Sequence, residues 1–177
     1  MALFHLIFIL IKIGILGSLY AAIVFVVTRY TFTIFNKRLP IDASRFWWLT
    51  QIIISLSLFF YSFTYWGDHG IGDTAVIPIG HGQQVRNSDG GFIYFLADDN
   101  QHEIVRFELT DDQMFGEQHG GRYLIFDLKT SKVQEFKSRS EYEDYVGSRR
   151  LPAGDKFKDF NTHYKAYWSG WRFWLLA

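Results

Sequence analysis

Residues 3–27 read LFHLIFILIKIGILGSLYAAIVFVV, and residues 46–66 read FWWLTQIIISLSLFFYSFTYW. At a rise of about 1.5 Å per residue, a helix of either length crosses a hydrocarbon core of roughly 30 Å. Neither run has the polar face that a surface helix of a soluble protein requires. We therefore expect a transmembrane hairpin over residues 1–66, with spans at about 3–27 and 46–66 and a basic loop at 28–45.

Two other interpretations of the first run are weaker. A cleaved signal peptide has a charged residue before a short apolar core and small residues at its cleavage site. Here no charge precedes the run, Lys12 lies inside it, and only Ala21-Ala22 resembles a cleavage site. A buried core helix of a soluble protein is the second interpretation, and runs this long and uniformly apolar argue against it. We expect both helices to be retained in the mature protein.

The basic residues around the spans predict the orientation of the hairpin. Four of them lie in the connecting loop: Arg29, Lys37, Arg38 and Arg45. No Lys or Arg flanks the first span on its N-terminal side, and none follows the second span before Arg86. Because basic loops stay in the cytoplasm, we expect a multi-pass protein of the cell (inner) membrane with both termini non-cytoplasmic. Residues 67–177 then form an exported domain, which is periplasmic or extracellular.

The charge of the chain divides at Trp66. Residues 1–66 carry five basic residues and one acid, Asp42, whereas residues 67–177 carry 13 basic and 17 acidic residues. A segment of this size is enough for one small domain with its own core. Its net negative charge argues against nucleic acid as a partner. The absence of cysteine excludes disulfides, thiolate nucleophiles and cysteine-bound zinc, and no motif calls for a cofactor.

The first span carries small residues at helical spacing. Gly14, Ser18 and Ala22 form one row, and Gly17 and Ala21 form a second row beside it. Small residues four positions apart let another helix approach closely. That helix is the protein's own second span, which is the simpler interpretation, or it belongs to a partner membrane protein or a second copy of the chain.

Lys12 is a charged residue inside the first span. A charge in the membrane costs a few kcal/mol and is a functional hypothesis by default. Three roles are open. The long side chain extends to the interface, the charge pairs with a polar group in a larger membrane complex, or it takes part in transport. Two spans are few for an autonomous transporter, so the last role is the weakest.

Aromatic residues lie at the expected membrane boundaries and near the C-terminus. Trp47 and Trp48 fit the inner interface, and Tyr65 and Trp66 fit the outer one. The C-terminal segment YKAYWSGWRFWLL adds three further tryptophans: Trp168, Trp171 and Trp174. Two interpretations of these rings remain open. They belong to a last element that closes the domain core, or to an interfacial anchor at the depth of the lipid headgroups.

The exported domain is predicted to be α+β, with a small, mostly antiparallel sheet and one packed helix. Strands are expected at apolar or alternating segments: Thr74–Ile79, Phe92–Leu96, Glu103–Leu109, Tyr123–Leu128 and Val133–Lys137. Pro78 places the first strand at a sheet edge, and residues 111–121 are expected to be a loop. Ser140 and Glu143 have the spacing of a capping box, which predicts a helix that ends before Pro152.

The polar residues of the domain carry little catalytic signal. Asp68, His69, Asp73 and His81 lie close together in a glycine-rich stretch, and histidines with carboxylates can hold zinc. Their spacing matches no zinc motif, so solvated loop residues are the competing interpretation. The chain has no Walker A motif, dinucleotide fingerprint or nucleophile elbow. We therefore assign no catalytic or cofactor-binding residue.

Three functions remain open on these grounds. The leading one is an accessory or interaction protein of the cell envelope, in contact with the lipid bilayer and with a membrane-protein partner or a second copy. The alternative is a membrane-anchored module that senses a small ligand or a metal, and the third is an exported hydrolase. Whether the protein is an enzyme stays open, although the missing active-site motifs point away from catalysis. The architecture alone implies no function.

Overall fold

The computed structural model describes five stretches of the chain: residues 2–35, 42–70, 74–88, 91–97 and 100–176. The protein is α+β, with two long helices followed by two small antiparallel sheets and shorter helices. It divides into two compact units. The hairpin unit comprises residues 1–68 together with 170–177, and the globular unit comprises residues 69–169.

Two long apolar helices make up most of the hairpin unit. Helix α1 spans Ala2–Ile34 and helix α2 spans Ala43–Tyr61, and both are long and apolar enough to cross a membrane. α1 continues past the predicted boundary at Val27, because the following residues include no Gly or Pro that would stop a helix. Arg29 therefore lies in the helix rather than in a loop, whereas Lys37 and Arg38 lie outside the described residues.

The second helix ends earlier than the apolar run. Residues 62–67 form turns, in which Ser62 and Thr64 each donate a hydroxyl hydrogen bond to the carbonyl oxygen three residues back. Such local side-chain bonds compete with helix continuation. The predicted span 46–66 is thus a helix followed by a turn that contains Tyr65 and Trp66.

The globular unit contains two four-stranded antiparallel sheets, each a simple meander. The first sheet has the order β1-β2-β3-β4, formed by Thr74–Gly80, Gln83–Ser88, Phe92–Ala97 and Asn100–Ile104. The second has the order β5-β6-β7-β8, formed by Arg106–Leu109, Gln113–Glu117, Tyr123–Asp127 and Val133–Phe136. β1 lies at an edge, as Pro78 requires, and the two predicted strands that correspond to β7 and β8 pair as a hairpin.

The prediction of a single sheet is wrong, and two strands account for the difference. β2 is mostly polar and buries only Val85, so its sequence carries no apolar run. β6 lies inside residues 111–121, which we expected to be a loop, although Met114 and Phe115 are fully buried. Both strands are fixed by pairing with their neighbours rather than by local propensity.

The predicted strand Glu103–Leu109 is two strands in different sheets. β4 ends at Ile104 and β5 begins at Arg106, so the chain passes from one sheet to the other at Val105. Ile104 and Phe107 are both buried in the same apolar cluster. A single strand places residues three apart on opposite faces, so the break at Val105 is what lets both side chains enter the core.

Apolar side chains cover both faces of the second sheet. One cluster joins the two sheets and includes Ile77, Val85, Phe95, Phe107, Leu124 and Phe126. On the opposite face, helix α3 (Arg139–Gly147) packs through Tyr142 and Val146. Gly116 permits the close approach of the sheets, because a Cβ there would lie 3.2 Å from the Ile104 side chain and 3.3 Å from Leu124.

Helix α3 begins two residues before the predicted capping box. Ser138 is the N-cap, and its Oγ accepts a hydrogen bond from the Glu141 backbone N–H at 3.3 Å. The Glu141 carboxylate accepts from the backbone N–H of Lys137, the residue before the cap, and not from the N-cap N–H that a capping box uses. The predicted pair of Ser140 and Glu143 is therefore wrong, and Glu143 instead forms an ion pair with Arg139.

The C-terminal segment forms two helices, one in each unit. Helix α4 (Phe160–Trp168) belongs to the globular unit, where Asp159 caps it by accepting a hydrogen bond from the Thr162 backbone N–H. Helix α5 (Trp171–Leu175) belongs to the hairpin unit. Gly170 precedes α5 with a φ of 66°, a left-handed conformation that glycine adopts readily.

Candidate functional site

The contact between α1 and α2 uses the row of Gly17 and Ala21 and one residue of the other predicted row of small residues. Gly17 lies against Ser55, and a Cβ on Gly17 would overlap the Ser55 hydroxyl. Ala21, in the same row, is fully buried. Ser18, from the other row, accepts a hydrogen bond from the Gln51 amide at 3.0 Å. The hairpin thus brings Gly17 into close contact with its own second helix.

The rest of the second row is open within the described chain. No described atom lies within 4 Å of the position that a Cβ on Gly14 would occupy. Ala22, two turns further along α1, is exposed. A partner membrane protein or a second copy at this row stays a prediction.

Lys12 contacts the short C-terminal helix of its own unit. Its Nζ lies 5.0 Å from the centre of the Phe173 ring, within the range of a cation–π interaction. Two turns along α1, the Tyr20 hydroxyl donates a hydrogen bond to the Leu175 carbonyl oxygen at 2.8 Å. These contacts hold α5 against α1, and so join two features that the sequence presents separately.

The aromatic C-terminal segment divides between the two roles considered for it. In α4, Phe160 is buried in the cluster between the sheets, and the Trp168 indole N–H donates to the Val76 carbonyl oxygen at 2.8 Å. In α5, Trp171 and Trp174 are 59% and 71% exposed. The first helix therefore closes the globular core, and the second presents its rings outward.

The remaining boundary aromatics lie in pairs at opposite ends of α2. Trp47 and Trp48 make an edge-to-face contact near its start, with ring centres 4.9 Å apart. Tyr65 and Trp66 make a similar contact at 4.7 Å in the turn beyond its end. Their depth in a membrane stays a prediction.

The histidine and carboxylate candidates for a metal site do not converge in the described part of the chain. The His69 ring packs edge to face against Trp168, Asp68 belongs to the hairpin unit, and Asp73 lies outside the described residues. Within the described ranges, no group of three or more His, Asp or Glu could hold a metal ion.

His81 belongs instead to a polar cluster that joins turns of both sheets. Its Nε2 lies 3.2 Å from Asp112 Oδ1, and the Lys129 ammonium donates to Asp112 Oδ2 at 2.8 Å. The bond from Lys129 holds the pKa of the Asp112 carboxyl below its ordinary value, and the bond with His81 adds to this effect. Gln83 and Ser131 form a further hydrogen bond between the same turns. The cluster ties the ends of the two sheets together.

A groove with a volume of about 740 Å³ lies between the end of β5 and the segment that follows α3. Its volume is within the range of ligand-binding sites. Leu109, Leu151 and Phe157 line it with apolar surface, and Arg150 and Lys156 line it with positive charge. In the described chain, neither of these two cationic side chains forms an ion pair or hydrogen bond, so both are available to a ligand.

The segment that follows α3 is fixed by hydrogen bonds to residues of the helix. The Tyr142 hydroxyl donates to the Pro152 carbonyl oxygen at 2.6 Å. Burial raises the pKa of Tyr142 well above its ordinary value, so the hydroxyl keeps its proton. The backbone N–H groups of Arg149 and Leu151 both donate to the Val146 carbonyl oxygen, at 3.0 and 3.2 Å.

Arg150 lies between those two donors in a left-handed conformation, with a φ of 58°. Glycine usually occupies this position at the end of a helix, and another residue there costs roughly 1–2 kcal/mol. The sequence did not reveal the groove. Its two walls come from residues 108–110 and 150–158, and no local pattern shows that they meet.

Comparison with known proteins gives no relative from which a function could be transferred. The chain matches no family model, and neither a curated protein nor a solved structure shows significant similarity to it.

Proposed function

We propose that the chain is a membrane-anchored interaction protein of the cell envelope, in which the hairpin unit is embedded in the bilayer and the globular unit acts by binding. The distribution of exposed apolar surface carries this proposal. Among the described residues, 29 large hydrophobic side chains are exposed, of which 23 lie in residues 3–66 and four in 171–175. Only two lie in the globular unit, so apolar solvent is required at one unit and not at the other.

The packing of the hairpin supports a position for Lys12 near one membrane boundary. Ile9 and Ile13 pack with Leu58 and Phe59, close to the C-terminal end of α2. Lys12 lies between them in sequence, about one helical turn from the level at which α2 ends. From there its side chain extends to the interface, and the contact with Phe173 supports a position for α5 at the same boundary.

The proposed orientation rests on the basic residues near the two helix ends that residues 36–41 connect: Arg29 in α1, Arg45 in α2, and Lys37 and Arg38 between them in sequence. With these ends in the cytoplasm, the globular unit is on the non-cytoplasmic side, periplasmic or extracellular. In this arrangement α5 is an interfacial element whose exposed tryptophans, Trp171 and Trp174, lie at headgroup depth.

The test uses the cysteine-free chain as a background for single cysteines. Ser44→Cys marks the start of α2 and Ser140→Cys marks an exposed site on the globular unit. The reagent is a membrane-impermeant maleimide, applied to cells in which it reaches the outer face of the inner membrane. It should label Ser140→Cys directly, and Ser44→Cys only after the inner membrane is permeabilised. The unsubstituted chain is the control. The reverse pattern would overturn the orientation, and release of the protein by alkaline carbonate would overturn membrane insertion.

The binding role has a separate test. Purification in a mild detergent should recover the chain in a stable complex with a partner or with a second copy. Recovery of a lone monomer under conditions that preserve the fold would contradict an interaction function.

A further inference from the structure

We infer that the groove beside β5 binds an extended acidic peptide segment of a protein partner, with Arg150 and Lys156 as the residues that receive its carboxylates. The inference rests on the proposed interaction function and adds to it the chemistry of the partner. It does not depend on the orientation of the hairpin in a membrane.

The first support is a strand edge with incomplete backbone pairing. β5 is an edge strand of the second sheet, and on its outer side Phe107 exchanges both backbone hydrogen bonds with Lys158, at 2.9 and 3.0 Å. Bonding directions alternate along a strand, so Leu109 points its N–H and C=O to the same outer side. There the neighbouring segment turns into the 3₁₀-helix Gly154–Lys156 instead of continuing the pairing. The groove occupies this gap, where the main chain of an extended peptide can pair.

The second support is charge. Lys158 forms an ion pair with Glu108 at 3.3 Å, so these two lining charges are already matched. Arg150 and Lys156 remain, with Asp155 as the one other lining acid among the described residues. The groove thus presents a net positive charge on a globular unit that is acidic as a whole. A guanidinium group can receive a carboxylate through two parallel hydrogen bonds.

The third support is the conformation of Arg150. Glycine would occupy its left-handed backbone position with less strain, yet the chain has an arginine there. The adjacent Arg149 already serves the end of α3, since its guanidinium group lies 3.9 Å from the centre of the Tyr145 ring and donates to the Tyr145 carbonyl oxygen. The helix end therefore does not need a second arginine, and the side chain of Arg150 is available for the groove.

A peptide fits this arrangement better than a small organic acid does. The gap at Leu109 offers a backbone donor and acceptor, Leu151 and Phe157 offer apolar contact, and the two cations lie on the same groove. A peptide with alternating acidic and apolar side chains can use all three at once. A small dicarboxylate can use only the cations.

The test measures fluorescence anisotropy with the full chain in neutral detergent micelles. The probe is a fluorescein-labelled heptapeptide of alternating valine and glutamate, and its counterpart has glutamine in place of glutamate. We expect saturable binding of the glutamate peptide alone. Arg150→Gly should weaken it about tenfold or more, and Lys156→Gln should weaken it by a smaller factor. The control Arg149→Gln removes the same charge one residue away and should leave the affinity unchanged.

Folding of each variant is checked by hydrogen exchange in β6 and β7, which Arg150→Gly should leave intact because glycine suits that backbone position. Three results would each overturn the inference: equal binding of the glutamine peptide, an equal loss with Arg149→Gln, or no binding up to about 1 mM. If succinate displaces the peptide completely and binds with the same affinity, the ligand of the groove is a small acid and not a peptide. This result would also overturn the inference. A chain that binds the peptide but is released by carbonate would contradict only the membrane anchoring.

Discussion

The hairpin unit and the globular unit bury their apolar residues in different ways. Helix α2 has no buried residue along its whole length, and on α1 the buried apolar side chains are confined to a narrow stripe that includes Ile9, Ile13 and Ala21. In the globular unit, β7 is buried on both faces, with Leu124 and Phe126 toward one cluster and Tyr123 and Ile125 toward the other. The globular unit excludes water by its own packing, whereas the hairpin leaves most of its apolar surface to the surrounding solvent.

Lys12 in the hairpin unit and three cations of the globular unit have contact partners of different kinds. In the hairpin unit, Lys12 contacts the face of an aromatic ring. In the globular unit, Lys129, Arg106 and Arg139 each contact a carboxylate. An aromatic ring remains compatible with an apolar surrounding, while a carboxylate is best solvated by water. The difference in charge pairing therefore agrees with the difference in burial.

The largest expected effect tests whether buried apolar residues of the globular unit contribute more to stability than exposed apolar residues of the hairpin unit. Phe107 is fully buried and Leu10 is 48% exposed. Phe107→Ala should lower the free energy of unfolding of the globular unit by about 3–5 kcal/mol, because it leaves a cavity between the sheets. Leu10→Ala should change the stability of the hairpin little, because in the proposed membrane arrangement the side chain contacts lipid whether or not the helices are packed. Hydrogen exchange of β6 and β7 measures the first change and exchange along α1 measures the second.

A large loss of α1 protection with Leu10→Ala would break this comparison, since it would mean that Leu10 packs against protein. The variant Phe107→Leu keeps an apolar side chain at the core position and leaves a smaller cavity than alanine does. It should recover most of the stability that Phe107→Ala loses.

The next effect concerns the close contact of Gly17 in α1 with Ser55 in α2. Gly17→Leu should destabilise the contact of α1 with α2 by about 1–3 kcal/mol, because the new side chain overlaps Ser55. Gly14→Leu is the matched control and should have little effect, since no described atom lies near its Cβ position. Cross-linking of Ile13→Cys to Phe59→Cys, in a chain without other cysteines, reports the contact. Equal loss of cross-linking in both variants would show that the row of Gly14 matters for the contact with α2 as much as the row of Gly17.

The sequence predicts the apolar helices and the strongest strands because these depend on local composition. Long apolar runs, the hairpin of β7 and β8 and the edge position imposed by Pro78 are all properties of short segments. The failures depend on distant residues. β6 owes its existence to pairing with β5 and β7, and the crossing at Val105 serves a core that two sheets share.

The N-terminal cap of α3 shows a subtler limit. Ser138 with Glu141 and Ser140 with Glu143 have the same spacing, so the local pattern permits two registers. Tertiary packing selects the first, in which Tyr142 and Val146 face the second sheet. The same limit applies to the candidate site. Arg150 and Leu109 are separated by some forty residues, and nothing in either segment indicates the groove that they share.

The smallest expected effect is a difference in the response to acid. The pKa of Asp112 is held below its ordinary value of 3.8, first by the hydrogen bond from Lys129. A carboxyl whose pKa is lower in the folded state stabilises the fold above its unfolded pKa and loses that contribution as the pH falls through the folded value. The stability difference between the native chain and Asp112→Asn should therefore be constant at neutral pH and shrink as the pH falls below about 3.8. Because the carboxyl is solvent-exposed, the difference should be small.

The contact of Lys12 with Phe173 has no titrating acid, so α5 should keep its hydrogen-exchange protection over the same range. Lys129→Met should reproduce the effect of Asp112→Asn, and the double variant should add little. Strictly additive losses would show that Asp112 and Lys129 do not act as a pair, and a loss of α5 protection that follows Asp112 would show that the contact of Lys12 with Phe173 responds to acid in the same way.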